Sequence, residues 1–340
     1  MNRYIREQIV LGEGENVDEK HIVLCGDKEY IKYCGVTLTS VLLSNPEDNF
    51  VFHIFCDDVS DIDLKRLGCT CKKFNKKIVV YKLKLNFVDD LLVSLNKDKS
   101  NISVATFFRL IAFDVLQDGV DKALYLDSDM LIVSHINKLW DLDLGNYFAA
   151  VVKDDFPIEH LDKLGLKNYF NAGMVLCNLH KWAVNRCTDD CLNYIFEKKP
   201  EWMDQDALNF MFQENVIFLD ENYNLLADLE VVIDNNAVPS KSEFIISNKN
   251  AKIIHFVGRN KPWCHWVQCI PIVKKYIEVQ KESMWSDNKI ITVDDITDKK
   301  YKYKHIRKEM VVSFKERQFK NAIYWGVRYL VNKAKFLLNF

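Results

Sequence analysis

Residues 107–129 read FFRLIAFDVLQDGVDKALYLDSD, and this stretch indicates the fold class. Apolar residues at helical spacing predict a helix over residues 107–116, which Asp118-Gly119 ends. The apolar run at 123–126 then predicts a buried strand. A helix that leads directly into a buried strand is the building unit of parallel α/β sheets.

The same alternation continues along the chain. Short runs rich in β-branched and aromatic residues predict further strands at 21–25, 50–56, 77–83, 148–152, 172–179, 216–219 and 253–256. A helix is predicted over 31–43, ended by Asn45-Pro46. This pattern indicates an α/β fold with a mainly parallel, mixed sheet covered on both faces. Ligands of such sheets bind at the carboxyl ends of strands, so polar residues that follow strands are the candidate site residues.

The composition is that of a folded globular chain, without disordered or collagen-like segments. A length of 340 residues allows one large α/β domain or two modest ones. The net charge of −2 hides an asymmetry, because residues 299–340 carry twelve Lys and Arg against two Glu. The rest of the chain is therefore acidic, and the C-terminal segment is strongly basic.

We expect the chain to be soluble and cytoplasmic. Its first residues lack the apolar core of a signal peptide, and no run approaches the ~18 uncharged apolar residues that a spanning helix needs. Several of the ten cysteines, including Cys25, Cys56 and Cys177, lie in apolar runs where a thiol behaves as a small hydrophobic group. We therefore expect reduced thiols, and the cysteine spacings do not predict a zinc site.

Two aspartates, Asp127 and Asp129, follow the apolar strand at its carboxyl end. If the strand geometry persists, their side chains point to one face about 6–7 Å apart. At an effective dielectric of about 20 they would repel each other by about 2–3 kcal/mol, which brings no structural gain unless a cation lies between them. The pair therefore indicates a divalent ion. The structural alternative is two solvated loop aspartates.

A phosphatase of the haloacid dehalogenase type also uses two aspartates in this pattern, the first as nucleophile and the second as acid. In that class the pair follows the first strand, and Thr or Val stands two places after the second Asp. Here the pair lies far into the chain, Leu131 occupies that place, and Gly26-Asp27 comes earlier. The order of the elements argues against the phosphatase.

Six segments resemble, in order, the motifs of glycosyltransferase family 8, the retaining α-glycosyltransferases that use UDP-sugars. They are HIVLCGDKEY (21–30), VATFFRL (104–110), LYLDSD (124–129), YFNAG (169–173), MDQDALN (203–209) and HFVGRNKPW (255–263). Within the family, they look most like the bacterial lipopolysaccharide-core glucosyl- and galactosyltransferases. The likeness runs from about residue 21 to residue 285 and is weaker in the tail.

The resemblance implies a GT-A-type, Rossmann-like domain that binds a nucleotide sugar. We expect an N-terminal extension at 1–20, a catalytic domain at 21–285 and a basic helical extension at 286–340. Within the catalytic domain, 21–145 would be the UDP- and metal-binding half, and 146–285 the half that binds the sugar and the acceptor.

The resemblance also implies a set of site residues. The metal ligands would be Asp127, Asp129 and His255, and this mixture of oxygen and nitrogen favours Mn²⁺ over Mg²⁺. Contacts to the UDP-sugar donor are expected from Asp27, Glu29, Asp127, Ser128, Asp129, Asn171, Ala172, Gly258 and Lys261. Catalytic roles are expected for Arg109, Asp127, Asp204 and Gln205. Lys28 and Glu29 depart from the family pattern, which often has Asp and Asn there, so uridine contacts would differ.

Each of these residue types also has a chemical reason. Gly258 permits close backbone approach, and Lys261 can place a positive charge against a leaving diphosphate. Arg109 lies in an apolar helix, where its charge needs a partner such as a sugar hydroxyl beside Asp127 or Asp204. Gln205 lies where a nucleophilic carboxylate would be needed, which favours front-face attack with Gln205 as a positioning group.

Structural alternatives remain for each of these residues. They are a core histidine for His255, a solvated lysine for Lys261, a structural ion pair for Arg109 and a helix N-cap for Asp204.

The C-terminal tail predicts an amphipathic helix. Its apolar stripe consists of Phe319, Ile323, Val327, Leu330, Ala334 and Leu337. Basic residues interrupt it too often for a bilayer span, so we expect the helix to lie on an anionic membrane surface. The alternative is a helix packed on the catalytic domain. No nucleic-acid-binding motif accompanies the basic charge.

Together with the acidic pair, the resemblance implies a metal-dependent enzyme that transfers glucose or galactose from a UDP-sugar to a hexose of the lipopolysaccharide outer core. It would work on the cytoplasmic face of the inner membrane. The alternatives are a glycogenin-like or other family-8 hexosyltransferase with a self or soluble acceptor, and a non-catalytic sugar-nucleotide-binding protein.

Overall fold

A computed structural model of the chain describes residues 2–14, 18–84, 104–229, 250–268, 270–296, 299–315 and 317–338. The strands are β1 (Ile5–Leu11), β2 (Lys20–Cys25), β3 (Phe50–Cys56), β4 (Lys77–Leu83), β5 (Lys122–Leu126), β6 (Met130–Ile132), β7 (Ala149–Asp154), β8 (Tyr169–Asn178), β9 (Val216–Leu219), β10 (Leu225–Leu226) and β11 (Ile253–His255). The helices are α1 (Ile31–Ser44), α2 (Asp61–Phe74), α3 (Phe108–Leu116), α4 (Ile158–Leu164), α5 (Leu179–Val184), α6 (Cys187–Lys198), α7 (Met203–Phe212), α8 (Pro271–Glu282), α9 (Lys299–Lys315) and α10 (Phe319–Leu338).

The chain divides into two compact units. The first comprises Met1–Leu225, Asn250–His255 and Ser283–Trp285, and the second comprises Leu226–Lys249, Phe256–Glu282 and Ser286–Phe340. The strands β1 to β9 and β11 belong to the first unit, and the helices α8 to α10 belong to the second. The functional boundaries predicted at residues 20, 145 and 285 stay predictions.

In the described part of the first unit, eight strands form one mixed sheet in the order β1-β4-β3-β2-β5-β8-β7-β9. Parallel pairing joins β2 to β3 and β5, β3 to β4, and β7 to β9. Antiparallel pairing joins β1 to β4, β5 to β8, and β7 to β8. The predicted α/β class with a mixed sheet is confirmed.

The strand order reverses at β2, which lies between β3 and β5. From β2 the chain continues to β3 and β4 on one side, and it later returns to form β5 on the other. Ligand crevices of open α/β sheets lie at such switch points, outside the carboxyl ends of the strands. Asp27 follows β2 and Asp127 follows β5, so the topology brings both acidic turns to this edge.

Both faces of the sheet are covered, which explains why its central strands are continuously apolar. Along β5, Ala123 and Tyr125 pack into one core, and Leu124 and Leu126 pack into the other. The first core includes residues of α3, α5, α6 and α7, and the second includes residues of α1 and α2. Because β5 is held from both sides, the turn that follows it has a rigid base.

A second, small sheet positions His255. Strand β11 pairs antiparallel with β6, and His255 lies opposite Met130 in this register. Strand β6 begins directly after Asp129, so the pairing places the end of β11 beside the acidic turn. The apolar pattern predicted β11 but not β6, because three residues are too few to show a period.

Strand β1 was also not predicted, because most of its side chains are exposed or half-buried. It pairs with β4 at one edge of the sheet. The cysteines in the described ranges are free thiols, most of them buried; Cys269 lies outside the described residues. Among the described helices, none is both long and apolar enough to cross a bilayer.

A pair of histidines on β2 and β3, of which His53 is buried and His21 half-buried, predicts loss of stability in acid. Nε2 of His53 lies 3.0 Å from Nδ1 of His21, and its Nδ1 lies 3.2 Å from the hydroxyl of Tyr81. Burial, with the nearby charges of His21 and Lys77, lowers the pKa of His53 to about 3. The unfolded chain takes up this proton below its ordinary pKa of 6.5, so folding stability falls as the pH drops from about 6.5 towards 3.

We expect His53 to account for about 3 kcal/mol of the stability lost between pH 7 and pH 4. Denaturant unfolding at both pH values should therefore show a smaller loss for His53→Gln than for the wild type. The exposed His180→Gln is the control and should lose as much as the wild type. Equal acid losses for the wild type and His53→Gln would contradict the prediction.

Candidate active site

Three side chains converge at the carboxyl end of β5. Nε2 of His255 lies 3.6 Å from Oδ2 of Asp127 and 3.2 Å from Oδ1 of Asp129. One ligand atom from each of the three lies within 4.8 Å of the others. The acidic turn itself is held in place, because the N–H of Asp127 donates to the carbonyl of Gly173 at 2.8 Å.

Gly173 is packed closely against this cluster. A Cβ at position 173 would lie 2.4 Å from Cε1 of His255 and 2.8 Å from Oδ2 of Asp127, so only glycine fits there. Two carboxylate oxygens and an imidazole nitrogen are ligands that suit a divalent cation such as Mn²⁺ or Mg²⁺. The residues therefore fit the metal that the resemblance implies.

The backbone between the two aspartates is fixed by α1. The hydroxyl of Thr37 lies 2.9 Å from the carbonyl oxygens of Ser128 and of Met130. Ser128 is buried. The acidic turn thus rests on a helix as well as on β5, so its two carboxylates keep a defined separation.

Arg109, on α3, is buried beneath the cluster. Its guanidinium lies 3.0 Å from Oδ1 of Asp127, and its Nε meets Oδ2 of Asp204 at 2.6 Å, as an ion pair without an aligned hydrogen bond. It also donates to the carbonyl of Ala172 and lies 4.4 Å from the ring centre of Tyr125. Burial alone would lower the pKa of Arg109, but the two carboxylates raise it above its ordinary value. The guanidinium therefore stays charged and joins β5 to α7.

Asp204 lies in the first turn of α7, whose N-cap residue is Trp202. The N-cap alternative for Asp204 is therefore wrong. Burial raises the pKa of Asp204 to about 6, although the charge of Arg109 opposes this shift. The ion pair with Arg109 is consequently the interaction that keeps this carboxyl ionised at neutral pH.

The predicted sugar-binding turn and Gln205 are held together by hydrogen bonds. Oε1 of Gln205 accepts from the N–H of Ala172 at 2.9 Å. Oδ1 of Asn171 accepts from the N–H of Gly173 at 3.0 Å, and its Nδ2 donates to Asp154 at 3.2 Å. Asn171 is buried and Gln205 is half-buried. The structure thus brings Arg109, Asp204, Gln205 and this turn to the same end of the sheet as the acidic cluster.

Asp27 and Glu29 follow β2. Oδ1 of Asp27 accepts from the N–H groups of Glu29 and Tyr30, at 3.0 and 3.1 Å, and so closes the turn before α1. Burial raises the pKa of Asp27. The Glu29 side chain is exposed and lies 3.5 Å from Lys32. Their contacts with uridine stay predictions.

Gly258 and Lys261 belong to the second unit. Gly258 has φ +77°, a conformation that favours glycine. Nζ of Lys261 donates to the carbonyl of Phe256 at 2.7 Å, which folds the segment 256–261 into a compact loop. Their predicted contacts with a diphosphate stay predictions.

Three further residues touch the site and were not predicted. The hydroxyl of Tyr125 donates to Oδ1 of Asp127 at 2.6 Å, and Asp154 and Asn224 both hydrogen-bond to Asn171. Tyr125 could have been found, because it lies two residues before Asp127 and a strand has a period of two. Asp154 and Asn224 are far from Asn171 in sequence, so no local pattern indicates them.

Comparison with known proteins agrees with the family resemblance of the sequence motifs. The model of glycosyl transferase family 8 matches residues 21–267. A lipopolysaccharide 1,3-galactosyltransferase of Salmonella typhimurium is 26% identical over 353 residues, covering 97% of this chain and 98% of the relative. A lipopolysaccharide 1,2-glucosyltransferase of Escherichia coli K12 is 28% identical over 315 residues, covering 90% of this chain and 89% of the relative.

Solved structures agree on the fold. The galactosyltransferase LgtC, in complex with donor and acceptor sugar analogues, superposes with a TM-score of 0.63 at 23% identity, covering 77% of this chain and 96% of that chain. The bifunctional glycosyltransferase WbbM superposes with a TM-score of 0.65 at 22% identity, covering 81% of this chain and 52% of that chain. At these identities the likeness shows the fold alone.

The fold is that of the GT-A glycosyltransferases, with an acidic cluster at its switch point. The chain belongs to glycosyl transferase family 8. It is therefore a glycosyltransferase.

Proposed function

We propose that the protein is a retaining α-glycosyltransferase that moves glucose or galactose from a UDP-sugar to a hexose of the lipopolysaccharide core. The cluster of Asp127, Asp129 and His255 at the switch point carries this proposal, because one ligand atom from each lies close enough to the others to hold a divalent ion. Two relatives that match about nine tenths or more of the chain are lipopolysaccharide glycosyltransferases, which supports the acceptor class.

Asp127, Asp129 and His255 would hold the ion. When bound, a divalent ion neutralises the diphosphate of the donor and stabilises the charge that grows on the departing UDP. Arg109 and the Tyr125 hydroxyl both contact Oδ1 of Asp127, which leaves Oδ2 on the side of His255. These two residues therefore orient the first carboxylate of the cluster.

The sugar would be positioned by Asn171, Asp204 and Gln205. Gln205 carries an amide, which is a poor nucleophile, and its oxygen is already engaged by the N–H of Ala172. This arrangement favours front-face attack. The bond from the sugar C1 to the UDP oxygen breaks, a bond to the acceptor hydroxyl oxygen forms on the same face, and the hydroxyl proton passes to the departing phosphate. Lys261 and Gly258 would bind that diphosphate, as the resemblance implies.

The direct test measures UDP release with Mn²⁺ and either UDP-glucose or UDP-galactose, with and without truncated lipopolysaccharide cores. We expect one donor to be used and one core acceptor to raise the rate. Stimulation by a soluble glucan, but by no core, would favour the glycogenin-like alternative. Binding of UDP-sugars without any release of UDP would favour the non-catalytic alternative.

The exposed side of α10 supports binding of the protein to a membrane surface. In α10, the apolar stripe of Phe319, Ile323, Val327 and Leu330 is exposed. The opposite side includes the buried Ala322 and the half-buried Trp325 and Tyr329. Arg328 pairs with Asp294, and Lys320 and Lys333 are exposed beside the stripe. An exposed apolar stripe beside basic groups suits the interface of an anionic bilayer. The attraction of each basic residue to such a surface contributes about 1 kcal/mol to binding. We therefore propose that the protein works at the cytoplasmic face of the inner membrane.

Replacing Ile323, Val327 and Leu330 together by Ser should abolish salt-sensitive sedimentation with liposomes that contain phosphatidylglycerol. Turnover of the UDP-sugar in solution should be retained, because the stripe is exposed and lies outside the acidic cluster. The control replaces Ile62 and Val184, which are exposed to a similar extent elsewhere, by Ser and should sediment as the wild type does. Equal sedimentation of the stripe variant and the wild type would contradict the membrane proposal.

A further inference from the structure

Asn224 lies behind the acidic cluster and is almost fully buried, with 1% of its surface exposed. Its Oδ1 lies 3.2 Å from Nδ1 of His255, and its Nδ2 donates to Oδ1 of Asn171 at 3.0 Å. It directly follows the 3-10 turn Glu221–Tyr223. The carbonyl of Asn222, in that turn, accepts from the N–H of Lys252, just before β11. The turn and the strand that ends at His255 are thus tied together.

The directions of these hydrogen bonds can be derived one after another, starting from the backbone N–H of Gly173. The backbone N–H of Gly173 can only donate, so the Asn171 atom that it contacts is the oxygen. That oxygen in turn requires the NH₂ group of Asn224 as its donor. The remaining atom of the Asn224 amide is then the oxygen, which can only accept.

This direction determines the tautomer of His255. Because Oδ1 of Asn224 accepts, Nδ1 of His255 carries the proton. In a neutral imidazole the other nitrogen then has a lone pair. That nitrogen, Nε2, is the atom that faces Asp127 and Asp129. The lone pair of His255 is therefore directed at the position where the ion would bind.

We propose that Asn224 is a positioning residue that holds His255 in the tautomer that binds the metal and links that ligand to the turn at Asn171. The inference rests on the metal site of the proposed function. A hydrogen-bond partner of this kind orients a metal-binding histidine, and its removal typically lowers metal affinity by about 10–100-fold. Because the amide of Asn224 contacts both residues, a shift of Asn171 would also displace His255.

The test compares three variants by calorimetric titration with Mn²⁺ in the presence of UDP. Asn224→Leu removes both hydrogen bonds and should weaken Mn²⁺ binding by about 10-fold or more. Asn224→Asp still accepts from Nδ1 of His255 and should stay within several-fold of the wild type. Asn209→Leu is the matched control, because Asn209 is an equally buried amide that bonds to Phe170 and Gln205 instead of a metal ligand. It should bind Mn²⁺ as the wild type does.

Asn224→Leu with wild-type Mn²⁺ affinity would overturn the proposal, as would an equal weakening in Asn209→Leu. Asp129→Ala separates this failure from that of the metal site. If Asp129→Ala also keeps full affinity, the proposed metal site is wrong. If it loses affinity and Asn224→Leu does not, only the role of Asn224 is wrong.

A measurement on the wild type keeps the proposal testable even if a variant does not fold. Two-bond ¹H–¹⁵N NMR correlations distinguish the two tautomers of a neutral histidine. In the metal-free protein, at a pH alkaline enough for a neutral imidazole, we expect the Nδ1–H tautomer for His255. A predominant Nε2–H tautomer would overturn the proposal.

Discussion

Asp129→Ala is expected to lower metal-dependent release of UDP by about 100-fold or more, because it removes one ligand of the ion that stabilises the leaving group. Oδ1 of Asp129 lies 3.2 Å from Nε2 of His255, so its loss opens the cluster on one side. Initial rates with the preferred UDP-hexose, across a range of Mn²⁺ concentrations, measure the effect. Asp118→Ala is the control, because Asp118 is exposed in the loop before β5. Near wild-type turnover by Asp129→Ala in the presence of EDTA would contradict the assignment.

Asp129→Ala should also reduce the stabilisation of the folded protein by Mn²⁺. An ion that binds only the folded protein stabilises it by about 2.7 kcal/mol at 100 times its Kd. Mn²⁺ should therefore raise the melting temperature of the wild type and leave that of Asp129→Ala nearly unchanged. Without metal, the variant should differ little in stability from the wild type, because the lost contact with His255 is offset by the removed repulsion between the two carboxylates. A variant that is unfolded without metal would show that Asp129 has a structural role.

Arg109→Met is expected to destabilise the protein by about 3–5 kcal/mol, since it leaves a buried carboxylate without its cation. The side chain of Asp204 is 7% exposed, and that of Arg109 is 11% exposed. Denaturant unfolding measures the loss. Arg3→Met is the control, because Arg3 pairs with Asp189 at the surface and such pairs contribute about 0–1 kcal/mol. The double variant Arg109→Met/Asp204→Asn should recover part of the stability. A loss in Arg109→Met no larger than in Arg3→Met would contradict a structural role for this pair.

The ion pair of Arg109 and Asp204 is also expected to affect how the stability of the protein depends on pH. The pKa of Asp204 is raised to about 6 in the folded protein, above its ordinary value of 3.8, so the folded state binds this proton more tightly than the unfolded chain. Its contribution to stability is therefore present below about pH 4 and is lost as the pH rises to about 6. Without Arg109 the pKa of Asp204 rises further, so Arg109→Met should continue to lose stability above pH 6. Asp204→Asn removes the carboxyl and should abolish this added dependence.

Much of the fold could be predicted from local sequence. The strands β3, β4 and β9 have the predicted bounds, because each is a β-branched or aromatic run with turn residues on both sides. The helix before β5 was predicted from residue 107, and the structure begins α3 at Phe108 after a 3-10 turn. Strands β1 and β6 were not predicted, because β1 is mostly exposed and β6 has only three residues. Period and hydrophobicity indicate an element only where it is long enough and buried.

The candidate site shows where local patterns stop being informative. The pattern of residues indicated a metal at Asp127 and Asp129, since two carboxylates after a buried strand repel each other unless a cation lies between them. The family resemblance added His255. Asn224 and Asp154 were not predicted, because their roles arise from contacts with Asn171, which is 53 and 17 residues away.

By itself, the sequence determined that β5 is buried on both faces and that two carboxylates follow it on one side, because both properties depend on neighbouring residues and on the two-residue period of a strand. Only the tertiary structure decided which groups meet those carboxylates. The register of β11 on β6 places His255 beside Asp129, and the pairing of β8 with β5 places Gly173 where a Cβ would collide with His255. Contacts between distant segments depend on strand register and on the space between packed layers, which no short stretch of the chain contains.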